Sequence, residues 1–199
     1  MPGQRFLRAN PQPSGQLWKG KDYWRRALSD LIAAYRGICA YSASWTKRAS
    51  EKSTPQDSSI DHFIPRSAGP GGAYEWSNFR LSRSRINSLK GDHQDVIDPF
   101  SLAAGWFQLD FRTFRLVPNP SLPQGDRVRV LNTIARLGLN SDQDYVKERV
   151  RAIRAYCVGA ATLEQLRRRY PFIAQEMDSQ NFDAIYLARM KAHFSAVNP

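Results

Sequence analysis

The stretch Ser67-Ala68-Gly69-Pro70-Gly71-Gly72 constrains this chain more than any other, because three glycines and a proline in six residues suit the interior of neither a helix nor a strand. It has to be a loop. On one side of it Ser58 to Pro65 reads as a short strand that Pro65 ends, and on the other Asn78 to Ser82 returns to strand character. Arg83 to Lys90 has the composition of a brief helix, with Gly91 placed to stop it. The predicted order is strand, loop, strand, helix.

Residues 1–21 are rich in Pro, Gly, Gln and Arg without apolar periodicity, which predicts an extended arm. From Asp22, the residues Trp24, Ala27, Leu28, Leu31, Ile32 and Tyr35 recur at three- and four-residue steps and predict a helix that Gly37 ends. Ile38 to Trp45 is a short apolar and aromatic stretch, and the polar run that starts at Thr46 predicts an exposed loop. After Asp98-Pro99, Trp106 to Pro118 alternates apolar and polar residues about Arg112-Thr113, the pattern of a hairpin. Helical stripes follow at Val128, Leu131, Ile134 and Leu137, at Tyr145, Val146, Val150, Ile153 and Cys157, and at Phe182, Ile185, Tyr186, Met190 and Phe194. Thr162 with Gln165 resembles a capping box for a further helix. The expected division is an arm over 1–21, a core with its leading helix over 22–97, and a hairpin with a helical layer over 98–199. The fold class is α+β.

Twenty-nine Lys and Arg against 18 Asp and Glu leave a net charge of +11, so a polyanion is the first expected partner. Cys39 and Cys157 are the only cysteines, too few for a disulfide framework or a four-cysteine zinc site. No run approaches the roughly 20 apolar residues that span a bilayer. A cytoplasmic location and no membrane partner are expected.

Asp61-His62 is the densest chemistry in the strand segment, and on a regular strand two neighbouring side chains leave on opposite faces unless the strand bends or ends. Downstream come Glu75-Trp76-Ser77-Asn78-Phe79-Arg80-Leu81 and Arg85-Ile86-Asn87-Ser88-Leu89-Lys90-Gly91. Across residues 37–93 this text resembles the HNH endonuclease family, whose pattern is Asp-His, a Gly-containing loop, Asn before an apolar residue, then Asn with Lys-Gly shortly after. The resemblance implies a ββα-metal unit embedded in a mainly helical domain with an added hairpin. It implies that His62 is the general base toward water, that Asp61 and Asn87 ligate one Mg²⁺ or Mn²⁺, and that Asn78 holds the loop or the His ring in register. Arg66, Arg83, Arg85 and Lys90 become candidates for nucleic-acid contact, each of them equally compatible with solvated surface charge. His93 is a weaker ligand candidate than Asn87, and His193 is assigned no function.

Two features set the chain apart from the family pattern. Many HNH proteins carry two Cys-x-x-Cys pairs, whereas here only Cys39 stands and Ser42, Arg83 and Ile86 occupy the partner positions, so no structural zinc is expected. Ile38, Tyr41, Trp45 and Ile86 are expected to form an apolar substitute, aided by the helix at 22–36 and the C-terminal helices. Asp98-Pro99-Phe100, Thr133-Ile134, Leu137-Gly138-Leu139-Asn140 and Arg149 are similar to the C-terminal region of HNH proteins in bacterial anti-phage systems such as Septu. That likeness implies an effector nuclease acting on DNA, with an ATPase as a possible partner. RNA stays open as a substrate, as does a subunit whose HNH site is silent until a partner positions it.

Overall fold

β1 (Ser58–His62) and β2 (Phe79–Arg83) pair antiparallel, with Ile60 opposite Leu81, Asp61 opposite Arg80 and His62 opposite Phe79. These elements belong to a computed structural model that describes residues 2–46, 57–141 and 143–196. The predicted loop lies largely at 47–56, outside the described residues. The chain divides into two compact units, Met1–Ser101 and Leu102–Pro199.

In the first unit, the expected leading helix forms as a 3-10 turn, Tyr23–Ala27, followed by α2 (Leu28–Ala34). Its apolar stripe is a core face as predicted. Leu31 is buried with Ile60, Phe79 and Leu81, and Trp24, Ala27, Leu28, Ile32 and Tyr35 pack around them. α3 (Ser84–Lys90) follows β2 directly and stops at Gly91, whose φ of 48° is one that glycine adopts without strain. In an antiparallel pair alternate residues turn their carbonyls away from the partner strand. Those of Ile60 and His62 are taken by Asn87 Nδ2 and Lys90 Nζ, at 3.1 and 3.0 Å, so α3 covers the outer edge of β1.

The extended arm is corrected. α1 (Pro2–Ala9) is a helix, and its Gly3 is buried against the Tyr74 ring, where a Cβ would stand 2.4 Å from the nearest ring carbon. The ring of Phe6 meets Trp18, and that of Trp18 meets Trp24 and Tyr74. Sparse apolar residues hid this helix, since its docking depends on aromatic partners distant in sequence. The segment in place of zinc knuckles is closed by backbone bonds: Ile38 bridges Trp45, Cys39 N–H donates to Ser44, and Ala40 N–H donates to Leu81. Ile86 is fully buried, as the apolar substitute required, whereas Ile38, Tyr41 and Trp45 are partly buried.

In the second unit, β3 (Phe107–Asp110) and β4 (Arg115–Pro118) form the predicted hairpin, its turn held by Asp110 accepting from Arg112 N–H and Thr113 Oγ. Five helices follow: α4 (Gln124–Arg136), α5 (Gln143–Cys157), α6 (Leu163–Arg169), α7 (Pro171–Ser179) and α8 (Ala184–Ala196). The capping box forms in both directions between Thr162 and Gln165. The face of α4 is shifted from the expected one, because Val130, Ile134 and Leu137 are buried while Val128 and Leu131 are exposed. α7 starts on Pro171, a residue suited to the first helical turn, and this break was not read from the sequence. Among the described residues no helix is long and apolar enough to cross a membrane.

Candidate active site

His62 closes β1 on the face it shares with Ile60, and Asp61 leaves on the other, as strand alternation requires. The strand ends at His62 without bringing the two side chains together. The His62 ring sits edge-on to Trp24 and Phe79, with centroids 5.0 and 5.3 Å apart. Its Nε2 is 2.9 Å from the carbonyl of Ala73. A carbonyl only accepts, so Nε2 carries the hydrogen and Nδ1 keeps its lone pair. Burial, aided by the Arg66 and Lys90 charges and opposed by the Ala73 bond, lowers the pKa of His62 from 6.5 to about 4. The ring is therefore neutral at pH 7, with the Nδ1 lone pair unprotonated, and burial makes it a weaker base than an exposed histidine.

The loop that supplies Ala73 is clamped by Asn78. Its Oδ1 accepts from Ile64 N–H at 2.8 Å, and its Nδ2 donates to Ile64 and Gly72 carbonyls at 3.0 and 3.1 Å. A Cβ at Gly72 would approach Asn78 Nδ2 to 3.1 Å, so the tight closure favours glycine there. Asn78 thus ties Ile64 to Gly72 across the loop through its amide.

A cleft of about 680 Å³ runs beside β1, with His62, Arg66, Asn87, Ser59 and Trp24 among its lining residues. Asn87 donates through Nδ2 to Ser59 Oγ and Ile60 O, both at 3.1 Å, which leaves Oδ1 as its acceptor for a cation or a water. Arg66 lies at the cleft with its guanidinium 4.5 Å from the Trp24 ring and 5.1 Å from that of Trp18. Among the sequence-predicted residues, Asp61, His62, Asn87 and Arg66 all line this cleft.

Asp61 contributes to the cleft wall, but its carboxylate is committed elsewhere. Oδ1 accepts from Lys90 Nζ at 3.1 Å, Oδ2 accepts from Tyr41 Oη, and the residue is 2% exposed. Burial raises the Asp61 carboxyl above its usual value against the pull of Lys90 and Tyr41, and burial together with Asp61 raises the Tyr41 phenol, which remains a donor. The expected pair of open oxygen ligands is therefore corrected to one: Asn87 Oδ1 is available, whereas Asp61 shares its space with an ammonium. Among the described residues no cluster of three or more His, Cys, Asp or Glu could hold a metal ion.

Two expected nucleic-acid contacts are also corrected. Lys90 is fully buried and spends its three protons on Asp61 Oδ1, His62 O and Phe63 O. Arg83 is 8% exposed and pairs with Asp57 at 2.8 Å. Arg85 is exposed on α3 but does not line the cleft, and His93 is exposed beyond it. Sequence reasoning missed Tyr41 as a donor to Asp61, and missed Arg80, which is buried and bidentate to Asp98 at 2.8 and 2.7 Å. Although burial pushes the Asp98 carboxyl up, the bonds from Arg80 and Phe100 N–H hold it below its usual value. The signal for the Asp61–Lys90 pair was a Lys next to a helix-ending Gly, which on its own looks solvated.

With its small antiparallel sheets and flanking helices, the chain is an α+β protein. Comparison with protein-family models, with curated proteins and with solved structures returns no match.

Proposed function

We propose that the chain is an HNH-type endonuclease of ββα-metal architecture, hydrolysing phosphodiester bonds in cytoplasmic DNA. The observation that carries this is His62: one ring nitrogen is fixed on Ala73 O, and the neutral ring lines a cleft with Arg66 and Asn87. The order β1, loop, β2, α3 supports the same reading.

In this mechanism His62 Nδ1 takes a proton from water as the water oxygen bonds to phosphorus. The bond to the 3′ oxygen breaks, leaving a 5′ phosphate, and solvent protonates the departing alkoxide. Arg66 attracts the phosphate, while Asn78 and Ala73 keep the base aimed. Mg²⁺ or Mn²⁺ belongs to the proposal and, when bound, would stabilise charge on the phosphate and leaving oxygens. Asn87 Oδ1 is one oxygen that the cleft would offer it.

The test is cleavage of plasmid DNA with Mg²⁺ or Mn²⁺, beside EDTA, by the wild type, His62→Ala and Asn87→Ala. Equal cleavage by all three proteins removes the assignment. An RNA substrate run in parallel decides which nucleic acid is preferred.

A second reading is a subunit that is silent alone and activated by a partner such as an ATPase. The observation favouring it is the Asp61–Lys90 pair, which holds the expected ligand in a closed state. Activity that emerges only on co-purification with a partner would establish it. The anti-phage role rests on the sequence likeness. In the structure Asn140 brackets Leu116 through its amide, and Arg149 binds Phe114, Leu139 and Asn140, so these residues hold the second unit together.

A further inference from the structure

Beside the His62 cleft lies a second concavity of about 500 Å³, lined by Trp18, Lys19, Asp22, Trp24, Arg25 and Arg66 with Gly15, Gln16 and Gly20. Trp24, Arg25 and Arg66 line both, so the two are neighbours within the first unit. Arg66 stands between them, its guanidinium near the rings of both Trp18 and Trp24. Trp18 is a half-buried ring braced by Phe6, Trp24 and Tyr74, with centroids 5.6, 6.2 and 6.3 Å away. Three cations face one carboxylate, Asp22, which is occupied by Arg25 at 2.8 Å. An aromatic wall with excess positive charge suits a ligand that is both flat and anionic, which is the chemistry of a nucleotide.

We infer that this second concavity binds an unpaired nucleotide of the substrate strand, next to the phosphate presented to His62, with its base against Trp18 and its phosphate toward Arg66 and Lys19. The inference rests on the nuclease reading and adds a substrate class to it: strand that is single, frayed or flipped at the site. A base inside a duplex stack does not offer its face to a tryptophan.

The experiment measures anisotropy of a labelled ten-nucleotide oligodeoxythymidylate and of a blunt duplex of the same length, with the full chain in EDTA. Proteins compared are the wild type, Trp18→Ala, Lys19→Glu and His62→Ala. Trp18→Ala should bind the single strand about tenfold more weakly, the loss of one base stack. Lys19→Glu, a change at an exposed position, should weaken it by about threefold, and the duplex should bind about tenfold more weakly than the single strand. His62→Ala is carried only for the cleavage comparison. If Trp18→Ala loses its fold by circular dichroism, Lys19→Glu decides. Wild-type affinity in a folded Trp18→Ala or in Lys19→Glu, or a duplex bound as tightly as the single strand, overturns the inference. Failure of the nuclease reading looks different, because His62→Ala would then cleave as the wild type does while strand binding persists.

Discussion

At the scale of single residues, the site is organised by where hydrogens must go. Ala73 O dictates which nitrogen of His62 is protonated, and Lys90 has no proton left for a phosphate because three buried acceptors use them all. Removal of the base in His62→Ala should lower cleavage by about 100-fold or more in a single-turnover assay. Since burial disfavours the charged ring, the base stays neutral as pH falls through 6.5 and is lost only near 4. The acid limb of kcat/KM should accordingly lie well below the ordinary histidine value. A limb at 6.5 would show that the ring is more solvated than the structure has it. Lys90→Met should cost about 3 kcal/mol or more in urea unfolding, because it strands a buried carboxylate. A surface phosphate contact at Lys90 would instead leave stability unchanged.

At the scale of elements, the hairpin of β1 and β2 is too short to stand by itself and is fastened by its neighbours. α2 buries Leu31 on one face, α3 covers the outer edge, and Asn78 closes the connecting loop. Ile86→Ala removes a fully buried side chain from α3 and should destabilise the protein by about 2–5 kcal/mol, with activity falling alongside although Ile86 does not line the cleft. Strand, loop, strand and helix around the site were legible because glycine, proline and alternation are local signals. α1 was not legible, since Gly3 and Phe6 make sense only beside Tyr74 and Trp18. The face of α4 was misread for a related reason. Val128 and Val130 are both apolar, and only packing in the second unit distinguishes them.

At the scale of the whole molecule, two units with their own cores share one strongly basic chain. Affinity for nonspecific DNA should therefore fall steeply and log-linearly with salt, as fluorescence titration at several salt concentrations would show. By itself the sequence determined the residue types at the site, the order of elements around them, the absence of cysteine for a four-thiolate zinc site, and the excess of positive charge. Those properties are local or additive, so they can be read without knowing what touches what. Only the tertiary structure decided which charges are free. It withdrew Lys90 and Arg83 into ion pairs, turned Asp61 toward Lys90 and Tyr41, and set Arg66 against two tryptophans. A charged side chain takes its role from the partner within a few ångströms, and those partners lie 26 to 29 residues away for Arg83 and Lys90. Pairing over that distance comes from the fold.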